Sequence, residues 1–290
     1  MNSITLAEKY QPLLDEVFKK ASVTSDLESG SVKFDNTKTV KILKLKLPSL
    51  GEYSRNSGFT AGDVEADWEP WTLTQDRGRE FSVDAMDDEE TLNMTFGKAC
   101  SEFIRTKVAP QVDTYRFGVL ASTKDISVAQ GELADGDAGL KAIRDAMTKM
   151  DNDEVDGEGR ILYITSQLKN DIDDLETYKS RKVMERFAKV ITVPTTRFWS
   201  ATQYNSTTKE IEPTADAVGI NFMIVLPRAV EAVAKHTKLR IFLADGDEGT
   251  GANKNQNQDA HKFQYRIYHD IFAYENKVAG IYCHKKPVSA

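Results

Sequence analysis

The sequence predicts an α+β fold. Three observations lead there. Helical and strand periodicities both run through the 290 residues, but they do not alternate as a doubly wound sheet requires. Strand patterns lie towards both ends, and a long helical pattern and a mixed region lie between them. The chain is 40% hydrophobic and 29% charged, so it can bury a sizeable core while keeping an ordinary solvated surface.

The elements follow in order. Tyr10, Leu13, Leu14, Val17 and Phe18 fall at helical spacing, and Thr5 with Glu8 has capping-box spacing. A polar stretch follows, Ser22 to Ser31. Lys38 to Leu47 reads as a strand. Val40 and Ile42, then Leu43, Leu45 and Leu47, alternate with lysines, and the slip between Ile42 and Leu43 suggests a bulge. Pro48 ends this strand. The segment from 48 to 78 carries glycines at 51, 58, 62 and 78 together with Tyr53, Phe59, Trp68 and Trp71. A loop of that length is uncommon inside a compact domain. Trp71 and Leu73 alternate, Gln75-Asp76-Arg77-Gly78 reads as a turn, and Phe81 and Val83 alternate on the return. The segment predicts a long two-stranded excursion with a glycine-rich tip. An isolated ribbon is marginal in water, so it needs a surface to rest on.

A long helix is predicted from Asp87, with four acids at its positive N-terminus. Leu92, Phe96, Cys100, Phe103 and Ile104 form its apolar stripe. Pro110 is expected to interrupt it, with a second helical stretch carrying Val112, Tyr115, Val119 and Leu120. Beyond residue 122 the pattern is mixed. Leu140, Ile143, Met147 and Met150 mark a helix, and RILYIT (160 to 165) marks a short buried strand with Ser166 as the next N-cap. Val183, Met184 and Phe187 mark another helix. Strands are predicted at 189 to 193, 219 to 226 and 239 to 243. Pro227 suits the first turn of a helix carrying Val230, Val233 and Ala234. Asp245 to Asp259 is polar and glycine-rich and reads as a loop. Phe263, Tyr265 and Ile267 begin a strand, Glu275-Asn276-Lys277 turns, and Val278 to Tyr282 returns, forming a C-terminal hairpin.

Charge narrows the function. The formal net charge is -7, which opposes tight nonspecific nucleic-acid binding. Cys100 and Cys283 are far apart and form no CxxC pair, as expected of two free thiols. Charges break up the first 20 residues, so no signal-peptide pattern is present, and no apolar run approaches the ~20 residues of a membrane span. No membrane partner is expected.

Chemistry has few footholds. Gly246, Gly249 and Gly251 precede Lys254, but the phosphate-loop spacing is missed. Asp151, Asp153 and Asp156 with Gly157 approximate a calcium loop, yet the third acid and the glycine come one place late and Leu162 occupies the twelfth position. His236, His261, His269 and His284 are scattered without a zinc spacing. No GxSxG elbow is present. The sequence therefore predicts no catalytic, cofactor-binding or metal-binding residues, and a chain that is not an enzyme.

Three stretches carry a resemblance: GEYSRNSGFTAGDVEADWEPWTLTQDRGREFSVDAMDDEE, FIRTKVAPQVDTYRF and FQYRIYHDIFAYENKVAGIY. The chain resembles tailed-bacteriophage major capsid proteins of the Hong Kong 97 type over nearly its whole length. The resemblance implies an N-terminal arm (1 to 36) and an extended loop (48 to 78) that lies over an adjacent subunit. It implies a peripheral domain (37 to 47, 79 to 121 and 259 to 290) with a long spine helix, and an axial domain (122 to 258). It implies an icosahedral shell around double-stranded DNA, built in the host cytoplasm from hexamers and pentamers of this chain. Packaged DNA would be held only weakly and nonspecifically. An encapsulin-like compartment is the alternative. Some members cross-link through an extended-loop lysine, but this chain has no lysine between Lys46 and Lys98. Some carry a cleavable scaffolding segment, for which the folded pattern beginning near residue 38 leaves no room. A separate scaffolding protein is therefore expected, together with a portal. Tyr53, Phe59, Trp68, Trp71, Arg77 and Arg79 are the candidate inter-subunit contacts. The two arginines are expected to form ion pairs with acids such as Asp76, Glu80 and Asp84.

Overall fold

The computed structural model describes residues 16–18, 20–28, 33–34, 39–46, 48, 51–53, 55, 58–59, 62–84, 95–236, 240–242 and 260–288. Most of the N-terminal arm, the predicted helix start at Asp87 and the polar loop from 245 lie outside these residues.

In chain order, a short helical segment (16–18, 20–21) and a 3-10 turn (Ser25–Leu27) precede four strands: β1 (Lys33–Phe34), β2 (Thr39–Lys46), β3 (Glu65–Thr72) and β4 (Gln75–Asp84). The long helix follows as α1 (Thr95–Phe103), a π-helical turn (Ile104–Val108) and α2 (Ala109–Ser122). Then come β5 (Ser127–Gln130), α3 (Gly136–Asn152), β6 (Ile161–Thr165), α4 (Ser166–Asp173), α5 (Tyr178–Met184) and β7 (Lys189–Val193). A small hairpin, β8 (Thr202–Tyr204) and β9 (Ile211–Pro213), leads to β10 (Ile220–Val225), β11 (Val230–His236) and β12 (Arg240–Phe242). The chain finishes with β13 (Ala260–Ala273) and β14 (Ile281–Lys285).

One sheet has the order β5-β14-β10-β6-β7 and is covered on both faces. In β6, Ile161 and Tyr163 turn towards Phe117 and Leu120 of α2, while Leu162 and Ile164 turn towards Ile143 and Met147 of α3. Burial on both faces explains why RILYIT lacks polar alternation. The other large sheet centres on β13. It pairs with β4 along one edge and with β11 and β12 along the other. Phe263, Tyr265 and Ile267 of β13 pack against Cys100, Ile104, Val108 and Val112 of the long helix. The helix thus serves the β13 sheet with its first half and the five-stranded sheet with its second.

Six local expectations are corrected. Pro110 does not interrupt the helix. A π turn carries the helix to Ala109, and Pro110 sits in the first turn of α2, where a proline is tolerated. Gln75 to Gly78 is not a turn but the start of β4, with ten residues paired to β13. The corner lies at Leu73–Thr74, where the Asp270 carboxylate accepts from the Thr74 N–H at 2.8 Å. No bulge separates Ile42 from Leu43, because β2 and β3 pair without slip from Thr39↔Thr72 to Lys46↔Glu65. Residues 230 to 236 are strand, not helix. Pro227 opens a single 3-10 turn, and Val230↔Ala273 begins an unbroken antiparallel ladder, so tertiary pairing overrides an ambiguous spacing. Ser166 opens α4, and Thr165 occupies the cap position without a side-chain bond. The C-terminal strands form no hairpin. The Glu275–Gly280 turn carries β14 into the five-stranded sheet between β5 and β10, where Ile281 to His284 can all be buried.

Candidate inter-subunit surface

The described strands of the excursion are β2 and β3, paired from Thr39↔Thr72 to Lys46↔Glu65. Its root is fixed in three ways. Val40 and Leu73 join Val233 and Tyr268 in a small buried cluster. Trp71 lies over Phe272 and Tyr274, with ring centroids 4.7 and 5.2 Å apart. Thr74 donates from both its N–H and its hydroxyl to Asp270 at 2.8 Å, and Tyr115 donates to the same carboxylate at 3.0 Å. Burial raises the Tyr115 phenol, which therefore stays a donor.

Away from the root the aromatic residues are open. Phe59 is 89% exposed, Tyr53 62% and Trp68 49%. The Tyr53 and Phe59 rings lie 4.9 Å apart across a bend in which Gly58 adopts φ +78°. Val64 adds 60% exposure on the same turn side. Exposed apolar side chains that lie together in this way are candidates for contact with another molecule.

The six predicted contact residues thus divide. Tyr53, Phe59, Trp68 and Arg79 are exposed, while Trp71 is held by its own chain. Arg77 also turns inward. Its guanidinium lies 3.9 Å from the Tyr204 ring centroid and donates to Gln75 at 3.0 Å, and burial lowers its pKa. Of the acids expected to pair with these arginines, Asp76 and Glu80 have intrachain partners, and the Asp84 side chain lies outside the described residues. Asp76 takes a bidentate pair from Arg266 at 2.6 and 2.7 Å, which raises the Arg266 pKa. Glu80 accepts from Gln264. Between β4, the long helix and the β8–β9 hairpin lies a cleft of about 470 Å3 lined by Arg77, Phe103, Lys107, Tyr204 and Tyr265. Lys107 reaches Glu210 across it at 3.2 Å, a pair too exposed to add much stability.

Sequence reasoning missed the residues that hold the appendages. Asp113 and Arg116 are fully buried charges on α2. Asp113 accepts from the hydroxyls of Ser22 and Thr24, both at 2.7 Å, from the N–H groups of Val23 and Thr24, and from Arg197 at 3.2 Å. Arg116 pairs with Glu28 at 2.6 Å. The signal available in the sequence was an Asp and an Arg set among Val112, Phe117 and Leu120 in one helical stretch, the pattern of a paired buried charge.

The calcium-like acids have cations of their own. Asp151 lies 2.8 Å from Arg160 and 3.2 Å from Arg186, Asp153 lies 2.7 Å from Lys149, and Asp156 lies 3.3 Å from Arg228. Among the described residues no His, Cys, Asp and Glu cluster has metal-site geometry, and no helix is long and apolar enough to cross a membrane.

No family model and no curated protein sequence matches the chain. Solved structures do. The capsid of the cyanophage P-SCSP1u is similar over 93% of this chain and 89% of its own, at 13% identity and a TM-score of 0.59. A virus-like particle from Pyrococcus furiosus is similar over 96% and 98%, at 12% identity and 0.60. The mature capsid of bacteriophage PhiM1 is similar over 88% and 84%, at 12% identity and 0.54. At such identities the likeness is one of fold, and the fold is the Hong Kong 97-like capsid fold.

Proposed function

We propose that this chain, folded as Hong Kong 97-like capsid subunits are, is the major capsid protein of a tailed bacteriophage. It assembles in the host cytoplasm, as pentamers and hexamers of itself, into the icosahedral shell of a virion that encloses double-stranded DNA. The observation that carries this reading is mutual coverage. Shell-forming chains match this one over nearly their whole length as well as its own. In this reading 1 to 36 is the arm, 48 to 78 the extended loop, 37 to 47 with 79 to 121 and 259 to 290 the peripheral domain, and 122 to 258 the axial domain. Tyr53, Phe59 and Trp68 meet a neighbouring copy, and Arg79 borders that contact. Their apolar area contributes ~25 cal/mol per Å2 removed from water. Much of it is offset by the cost of association, so single contacts are modest and the closed shell is stable through repetition. A separate scaffolding protein and a portal complete the assembly, and the shell has no catalytic role.

The alternative is a compartment loaded with protein cargo. Its support is the match to the Pyrococcus furiosus virus-like particle, 98% of whose chain is covered. Electron microscopy of the purified chain, alone and with a co-expressed scaffold, tests both readings. Closed shells are expected. A compact monomer at every concentration, with or without scaffold, would sink them. Shells filled with one host enzyme rather than DNA would select the compartment.

A further inference from the structure

We propose that Asp113 and Asp270 are positioning residues that set the exits of the N-terminal segment and of the β2–β3 ribbon before any neighbour is met. The inference rests on the shell reading for its purpose. Its geometry stands within the single chain.

The two carboxylates hold opposite appendages to one turn of α2. Asp113 lies on that turn and is fully buried. It collects two hydroxyls, two backbone N–H groups and a guanidinium, which fills the acceptor capacity of a carboxylate. Every donor except Arg197 comes from residues 22 to 24. Arg116, one turn later, donates to the Thr24 hydroxyl at 3.0 Å and closes on Glu28. Asp270 is 3% exposed on β13. It holds Thr74 at the foot of the ribbon and Tyr115, the residue between Asp113 and Arg116 in the helix. One helical turn therefore fixes the foot of the segment through Asp113 and the foot of the ribbon through Tyr115 and Asp270.

Apolar packing already attaches both feet, through Phe18 and Leu27 on the segment and Val40 and Leu73 on the ribbon, so attachment alone does not call for buried charges, which are expensive and often replaceable by well-packed hydrophobes. Arg116 Nε even lacks a hydrogen-bond partner among the described residues. What a saturated carboxylate adds is direction. Its acceptor sites accommodate one arrangement of donors, whereas an apolar contact tolerates sliding. An appendage that must reach a defined place on another copy gains from a foot with a single orientation.

The test is hydrogen exchange on the full-length, unassembled chain, read at Val23, Thr24 and Thr74, beside the yield of closed shells by electron microscopy. These three N–H groups are expected to exchange at least roughly tenfold slower than the unfolded rate before assembly. Asp113→Asn is expected to release Val23 and Thr24, and Asp270→Asn to release Thr74. Both chains should keep a cooperative thermal transition and lose regular shells, and Asp113→Glu should restore part of the yield. Should either asparagine variant fail to fold, Ser22→Ala with Thr24→Ala, and Thr74→Val, remove donors and leave the carboxylates in place. Protection that arises only in assembled shells, or exchange unchanged in the variants, overturns the proposal. A wild-type chain that forms no shells yet shows the protection removes the capsid reading and leaves the clamp.

Discussion

His284 shows how one buried side chain carries a pH dependence. Its Nδ1 lies 3.1 Å from Asn221 Nδ2, and the same amide nitrogen donates to the Gly131 carbonyl at 3.2 Å. A carbonyl only accepts, so the amide nitrogen is fixed as the donor, and Nδ1 must be the unprotonated acceptor. Burial lowers the His284 pKa below the usual imidazole value. The unfolded chain then binds the proton more readily, so stability is complete above the unfolded value of about 6.5 and falls as pH drops below it. Urea midpoints should decline between pH 7.5 and 5, and His284→Gln should flatten that part of the slope. An unchanged slope would remove His284 as the cause. The two thiols give a second prediction at this scale. Cys100 and Cys283 are buried, and burial pushes each up to about 12. Neither should react with an aromatic disulfide reagent at pH 8 until denaturant is added, since the thiolate is the nucleophile.

Elements in this protein are held at positions where side chains leave no slack. Gly136 opens α3, and a Cβ there would meet the Asp171 carbonyl oxygen at 2.0 Å. Backbone must move to admit it, so Gly136→Ala is expected to destabilise by about 2 to 3 kcal/mol. Gly131 has open space around it, and Gly131→Ala should stay within ~0.5 kcal/mol. Equal shifts for the two in a denaturant titration would contradict this account. The ribbon divides in the same manner. Trp71→Ala removes the stack on Phe272 and Tyr274 and should cost the subunit about 2 kcal/mol. Trp68 is half exposed, so Trp68→Ala should cost the subunit less than Trp71→Ala while lowering shell yield. Subunit denaturation and shell yield measured together separate the two tryptophans, and a Trp68 variant that assembles normally removes that residue from the contact.

At the scale of the molecule, the two large sheets share one core. Ile271 of β13 and Val230 and Ala232 of β11 belong to the same buried cluster as Tyr163, Met223 and Cys283 of the five-stranded sheet, with Phe117 and Leu120 of α2 between them. Neither sheet can lose its packing without exposing the other. The unassembled chain is therefore expected to unfold in a single transition, with calorimetric and van't Hoff enthalpies equal. Two resolved transitions would mean that the two sheets are independent units.

The α+β class and most strands and helices were legible in the local pattern, because periodicity reports which faces are buried. RILYIT, the 140-147-150 helical stripe and the Phe263-Tyr265-Ile267 alternation each appear where expected. The sequence also sets which residues of the excursion are aromatic, and three of them are exposed. Which strand meets which was settled by the folded chain as a whole. Residues 230 to 236 became a strand because β13 was there to pair with, and β14 left its expected hairpin because four consecutive buried residues needed cover on both faces. The clamp at Asp113 and Asp270 was equally out of reach, since its donors lie some 90 and 196 positions away along the chain. Local pattern encodes burial, which each residue carries with it. Partnership depends on where the rest of the chain has gone.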